Sequence, residues 1–105
     1  MERTAIYNMI RTTVQGCLPG ARVLLFGSRA RGDNGPLSDY DLMVITPGNL
    51  TQKDKLSWSS SIRKSIVKSV QAPVDLLLYS EKEILQNQDL PGHIVRSAIK
   101  EGIAL

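Results

Sequence analysis

The chain has 105 residues, with 13 Lys and Arg against 10 Asp and Glu and a formal charge of +3; that length predicts one domain over residues 1–105 around one core. Hydrophobic residues at 42% and charged residues at 22% exclude a disordered chain. No apolar run approaches the roughly 18–20 residues of a membrane span, which argues against a membrane role.

The start, Met1-Glu2-Arg3-Thr4, lacks the basic-then-apolar pattern of a secretory signal. A single cysteine, Cys17, leaves no internal disulfide, and no Cys/His cluster has zinc-ligand spacing. Both features fit a cytoplasmic protein. The mild basic excess is compatible with phosphate or nucleic acid. However, Tyr7, Phe26, Tyr40, Trp58 and Tyr79 form no cluster interleaved with basic residues, which argues against a single-strand stacking platform.

Along the chain, Ile6, Met9, Ile10, Thr13, Val14 and Cys17 recur at helical spacing and predict an amphipathic helix over 3–16, stopped at Pro19-Gly20. Arg22-Val23-Leu24-Leu25-Phe26 predicts a strand covered on both faces. Residues 27–38 have loop composition, with a short helical turn opening at Gly27-Ser28. Asp39-Tyr40-Asp41 leads into a second strand over Leu42–Ile45, ended by Pro47-Gly48. Thr51 with Asp54 resembles a capping box and opens a long helix over 51–71, whose Leu56, Ile62, Ile66, Val67 and Val70 share an apolar stripe. Val74–Tyr79 is the third strand, beginning just after Pro73. Ser80 with Glu83 caps a short helix to Asn87, and a last helix starts at Leu90 and stops at Gly102. This order is α/β: a small sheet with helices packed on it.

Chemistry concentrates in Gly27-Ser28-Arg29-Ala30-Arg31-Gly32 and Ser38-Asp39-Tyr40-Asp41-Leu42. A glycine at the end of a buried strand lets a ligand approach the backbone, and amides at a helix start favour an anion. Ser28 adds a hydroxyl, and Arg29 and Arg31 can add charge-assisted bonds to phosphate oxygens. The segment is not a Walker A loop, because the Gly-Lys-Ser/Thr ending is absent. Asp39 and Asp41, two apart on a strand, project from one face with Cα atoms about 6.5–7 Å apart. Two such carboxylates repel unless a cation lies between them, and hard oxygen ligands suit Mg²⁺ or Mn²⁺. Asp75 interrupts the apolar third strand and joins the pair if strands two and three are neighbours. Three carboxylates beside a phosphate cradle describe a two-metal site for phosphoryl or nucleotidyl transfer.

Gly27-Ser28, ten intervening residues and Asp39-x-Asp41 resemble the signature of the DNA polymerase beta-like nucleotidyltransferase superfamily. Gly-Ser-x-Ala-Arg-Gly followed by Ser-Asp-x-Asp-Leu is similar to its minimal nucleotidyltransferase (MNT) group. Val74-Asp75-Leu76 matches the third catalytic strand, and Ile94–Ile103 resembles the closing helix. The resemblance implies a palm fold, a small mixed sheet of about three or four strands packed with helices. It further implies that Gly27, Ser28 and Arg31 bind the triphosphate, and that Asp39, Asp41 and Asp75 are catalytic and ligate Mg²⁺, with ATP as substrate. Members often pair with a helical HEPN toxin, act as its antitoxin, and in some cases transfer AMP to a toxin tyrosine. Two alternatives stand beside this: an antitoxin that neutralises by binding alone, and the catalytic subunit of a small-molecule, aminoglycoside-type transferase.

Plainer readings exist for each residue. Gly27-Ser28 can be an ordinary turn, Asp39 and Asp41 caps, Asp75 a solvated edge residue, and Arg29 and Arg31 surface charges. His93 reads as a surface or partner-contact residue, Cys17 as buried packing, and Lys53, Lys55, Arg63, Lys64 and Lys68 as a solvated helix face. Ile103-Ala104-Leu105 either folds onto the core or docks a partner. Small exposed sheet edges and this apolar end allow a homo- or hetero-oligomer.

Overall fold

Strands that are apolar on both faces need a helical layer on each side, and two such layers surround the sheet of this protein. The structure is a computed structural model that describes residues 2–105. Helix α1 (Arg3–Cys17) leads to β1 (Arg22–Phe26), a single turn α2 (Ser28–Arg31) and β2 (Tyr40–Thr46). Helix α3 (Gln52–Val70) crosses to β3 (Val74–Ser80), followed by α4 (Glu81–Asn87), α5 (Ile94–Glu101) and the short β4 (Ile103–Ala104).

The strand order is β3-β2-β1-β4. The α3 crossover makes β2 and β3 parallel, while β1 runs antiparallel to both β2 and β4. One face of the sheet packs on α1 and α3: Ile10, Val14, Ile62 and Ile66 meet Val23, Leu25, Leu42 and Val44. The other face packs on α4 and α5, where Ile84, Val95 and Ala98 meet Leu24, Phe26, Met43 and Ile45. Alternate residues of β1 and β2 therefore enter opposite cores, which explains their nearly unbroken apolar sequence. Fully burying side chains of this size contributes about 1.5–3 kcal/mol each, before the entropy cost.

Several expected boundaries move. The second strand begins at Tyr40, two residues ahead of Leu42, because Tyr40 and Asp41 pair with Val74 and Asp75 of β3. The last helix begins at Ile94 rather than Leu90, since His93 Nδ1 accepts the Val95 N–H (3.1 Å) and acts as its N-cap. Leu56 is 63% exposed and lies outside the buried stripe, beside the open groove between α3 and the edge strand β3. The C-terminal residues fold back as β4, where Leu105 N–H donates to Val23 O at 3.0 Å, while Ile103 stays exposed. Among the described residues no helix is long and apolar enough to cross a membrane.

The two caps read from sequence form as expected. Thr51 Oγ1 accepts the Asp54 N–H at 3.1 Å. Ser80 Oγ accepts the Glu83 N–H at 3.1 Å, and Glu83 Oε1 accepts the Ser80 N–H at 3.0 Å. Glu83 Oε2 also pairs with Lys55 Nζ at 2.8 Å, tying α4 to α3. Burial pushes the Glu83 carboxyl up, but hydrogen bonds from Lys55 and the Ser80 backbone outweigh it and hold the group below its ordinary 4.5. Its bonds thus stabilise the fold above that value and are lost as pH falls through the lowered one. Ser80→Ala should cost about 1 kcal/mol in urea unfolding at pH 7. The deficit should shrink as pH falls below 4.5 and through the lowered value, where Glu83 gains a proton; an undiminished deficit in acid would separate the cap from Glu83.

Candidate active site

The end of β1, the turn α2 and the first residues of β2 and β3 meet at one end of the sheet. Phe26 pairs with Asp41, so Gly27 lies next to the Asp41 carboxylate. A Cβ built on Gly27 would collide with that carboxylate, and the residue has φ +73° and ψ −156°. Only glycine meets both demands without strain. From Gly27 the chain turns into α2, where Ala30 and Arg31 donate to Gly27 O at 3.1 Å. The amides of Ser28 and Arg29 stay outside the intrahelical ladder, and Ser28 is partly buried beside them.

Asp41 and Asp75 are direct partners in the parallel register and therefore share one face of the sheet. Asp41 is partly buried and Asp75 exposed on the edge strand. Burial first, then the charges of Asp75 and Asp39, raise the Asp41 carboxyl above its ordinary 3.8, while Arg31 opposes them. Asp41 thus lies at one end of the sheet in the field of both other acids. Asp39, however, is exposed in the loop ahead of β2 and not on the strand. No strand register fixes its side chain beside Asp41. Among the described residues no three His, Cys, Asp or Glu side chains are gathered closely enough to hold a metal ion. Of the three carboxylates expected from sequence, the strand register brings Asp41 and Asp75 together, and Asp39 stands on the loop ahead of them. The donor chemistry still fits a hard divalent cation: all the candidates are carboxylates, and burial together with the charges of Asp75 and Asp39 raises Asp41.

Arg31, the expected phosphate ligand, is exposed and shared between two acids. Its Nε lies 3.2 Å from Asp33 Oδ2, and its Nη1 lies 3.4 Å from Glu101 Oε1. Glu101 escaped the reading of the sequence. Its Oε1 also accepts the Gly27 N–H at 3.2 Å, so the last residue of α5 is bound to the turn. The only sequence signal was a carboxylate directly before the helix stop at Gly102. Arg29 points elsewhere: it donates to the Ser38 carbonyl and stacks on Tyr40.

Residues 8–105 match the family described as nucleotidyltransferase domain. The chain belongs to that family, a class of nucleotide-transferring enzymes. Solved structures agree on the fold. A chain from a toxin–antitoxin complex with AMP-PNP superposes with a TM-score of 0.66 at 18% identity, covering 93% of this chain and 70% of its own. A chain from the Shewanella oneidensis complex of a tri-AMPylated HEPN toxin with its MNT antitoxin gives 0.64 at 15%, covering 98% and 71%. A candidate minimal nucleotidyltransferase gives 0.66 at 22%, covering 100% and 97%. No curated protein matches the sequence.

Two outcomes test the local physics. Because Asp41 is raised in the folded state, its ionisation costs stability as pH rises above 3.8 and through the raised value. Asp41→Asn should therefore raise the thermal midpoint at pH 7, without divalent cations, by on the order of a few degrees. The gain should vanish below pH 3.8; a lower midpoint at pH 7 would contradict this account. Gly27→Ala should lose at least about 2 kcal/mol by chemical denaturation, from the positive φ and the collision with Asp41. An unchanged midpoint would refute that close approach.

Proposed function

We propose that residues 1–105 act as one minimal nucleotidyltransferase domain that moves AMP from ATP onto a hydroxyl of a protein partner, a tyrosine of a HEPN-type toxin, and so acts as its antitoxin in the cytoplasm. The observation that carries the reading is the Asp41–Asp75 register directly beside the Gly27-Ser28 turn. Family membership supports nucleotidyl transfer. AMP-PNP in one structural neighbour and an AMPylated HEPN toxin in another support the nucleotide and the partner.

In this reading the Ser28 hydroxyl and the α2 amides hold the triphosphate, with the Gly27 backbone close against it. Arg31 exchanges one of its two carboxylate partners for a phosphate oxygen. Asp39, Asp41 and Asp75 would hold Mg²⁺, which when bound supplies neutralisation of the charge on the transferred phosphate. Asp75, exposed on the edge strand, stands where an incoming hydroxyl can reach it and takes the proton. The hydroxyl oxygen bonds to the α-phosphorus as the bond to pyrophosphate breaks. Asp41, partly buried, stays fixed against Gly27 and orients the group in flight.

Incubation with α-labelled ATP, Mg²⁺ and the co-encoded helical protein should label that protein. Asp41→Asn and Asp75→Ala should each reduce labelling by about 100-fold or more. If Asp75→Ala neutralises the toxin as well as the wild type while labelling is lost, the protein is an antitoxin that acts by binding. Labelling of an aminoglycoside instead of a protein would move it to the small-molecule class.

A further inference from the structure

Arg29 follows the phosphate-binding turn directly, yet its side chain is spent on the loop that carries Asp39. Its Nε and Nη2 both donate to the Ser38 carbonyl, at 3.0 and 2.7 Å. Its guanidinium carbon lies 3.9 Å from the centre of the Tyr40 ring. Ser38 is held a second time by its own turn, where its Oγ accepts the Gly35 N–H at 2.9 Å and its N–H donates to Gly35 O at 3.2 Å. Tyr40 is 6% exposed and donates its N–H to Pro73 O at 3.0 Å. Asp39 therefore sits between two residues that one guanidinium grips, on an otherwise exposed loop.

We propose that Arg29 is a positioning residue: it clamps the Ser38–Tyr40 segment and so fixes where Asp39 leaves the backbone just ahead of Asp41, and it is not a phosphate ligand. The inference deepens the nucleotidyltransferase reading and rests on it. The Ser38 carbonyl belongs to the same peptide plane as the Asp39 nitrogen, so a donor pair on that oxygen fixes where Asp39 leaves the backbone. The stack on Tyr40 sets the opposite side, because Tyr40 packs with the α1/α3 core while Asp41 faces away from it. A planar fork can place two N–H groups on one carbonyl while lying flat on a ring; a lysine ammonium cannot do both. The clamp supplies through one side chain the constraint that strand pairing does not extend to Asp39. It also joins α2, which bears Ser28, to the loop that carries Asp39.

Four measurements on Arg29→Lys and Tyr40→Phe test this. They are the backbone order parameter of Asp39 by ¹⁵N relaxation, Mn²⁺ affinity by electron paramagnetic resonance, ATP affinity without divalent cations by calorimetry, and transfer kinetics. Arg29→Lys should drop the Asp39 order parameter below about 0.6. It should weaken Mn²⁺ binding by about tenfold or more and lower kcat by a similar factor. Its metal-free ATP affinity and KM for ATP should stay within about threefold of wild type, since a positioning residue acts on the chemical step. Tyr40→Phe, which keeps the ring face, should follow the wild type throughout.

Metal-free ATP binding that falls in Arg29→Lys while Mn²⁺ binding persists would make Arg29 a phosphate ligand and overturn the clamp. An Asp39 order parameter that does not change overturns it as well. Arg29→Gln, neutral and shorter, provides the same readings if Arg29→Lys does not fold, with the same outcomes deciding. A wild type that neither binds Mn²⁺ nor transfers AMP counts against the transferase reading alone, because the order of Asp39 still reports on the clamp.

Discussion

The parallel pairing of β2 with β3 is the constraint on which the candidate site depends. It sets Asp41 opposite Asp75, although the two are separated in the chain by the whole of α3. Parallel strands need a crossover of this kind, and helix α3 with its buried Ile62 and Ile66 supplies it. A slip of one residue would send one of the two carboxylates to the α1/α3 core. The cost of carrying a carboxylate into that apolar core opposes the slip. The unbroken apolar run of β2, with Leu42 and Val44 in one core and Met43 and Ile45 in the other, would fill both cores in either register.

Burial of a carboxylate, with like charges beside it at the end of a sheet, raises the free energy of the folded state, and the raised carboxyl of Asp41 expresses that cost. The surrounding structure offsets it elsewhere: two apolar cores hold the strands, and the capped α4 ties β3 to α3 through Glu83 and Lys55. A destabilised carboxylate held by a rigid frame suits a site whose charge is met by a ligand. The local glycine serves the same end, because a side chain at Gly27 would displace Asp41.

Much of this was legible in residue order. Helix α1, strand β1 and the caps at Thr51 and Ser80 follow from periodicity and capping chemistry, and each formed within a residue or two of its expected bounds. The last helix starts later than its sequence suggests because the turn at Pro91-Gly92 carries no apolar period, and because a histidine is an uncommon cap. Leu56 shares the helical spacing of the apolar stripe yet stays exposed, because spacing says which residues share a stripe and not where the stripe runs past the covered sheet. The strand formed by Ile103 and Ala104 depends on an edge of β1 that exists only once the sheet has closed.

By itself the sequence determined the chemistry available: a glycine-serine turn after a buried strand, three carboxylates and two arginines, arranged on strands and loops by local pattern. Tertiary structure alone decided which of these groups meet. It put Asp75 beside Asp41, left Asp39 on the loop, turned Arg29 onto Ser38 and Tyr40, and brought Glu101 to Gly27 and Arg31. The physical reason is range. Propensity, caps and turns act over a few residues, whereas these contacts close only when strand pairing and two packed cores bring distant segments together.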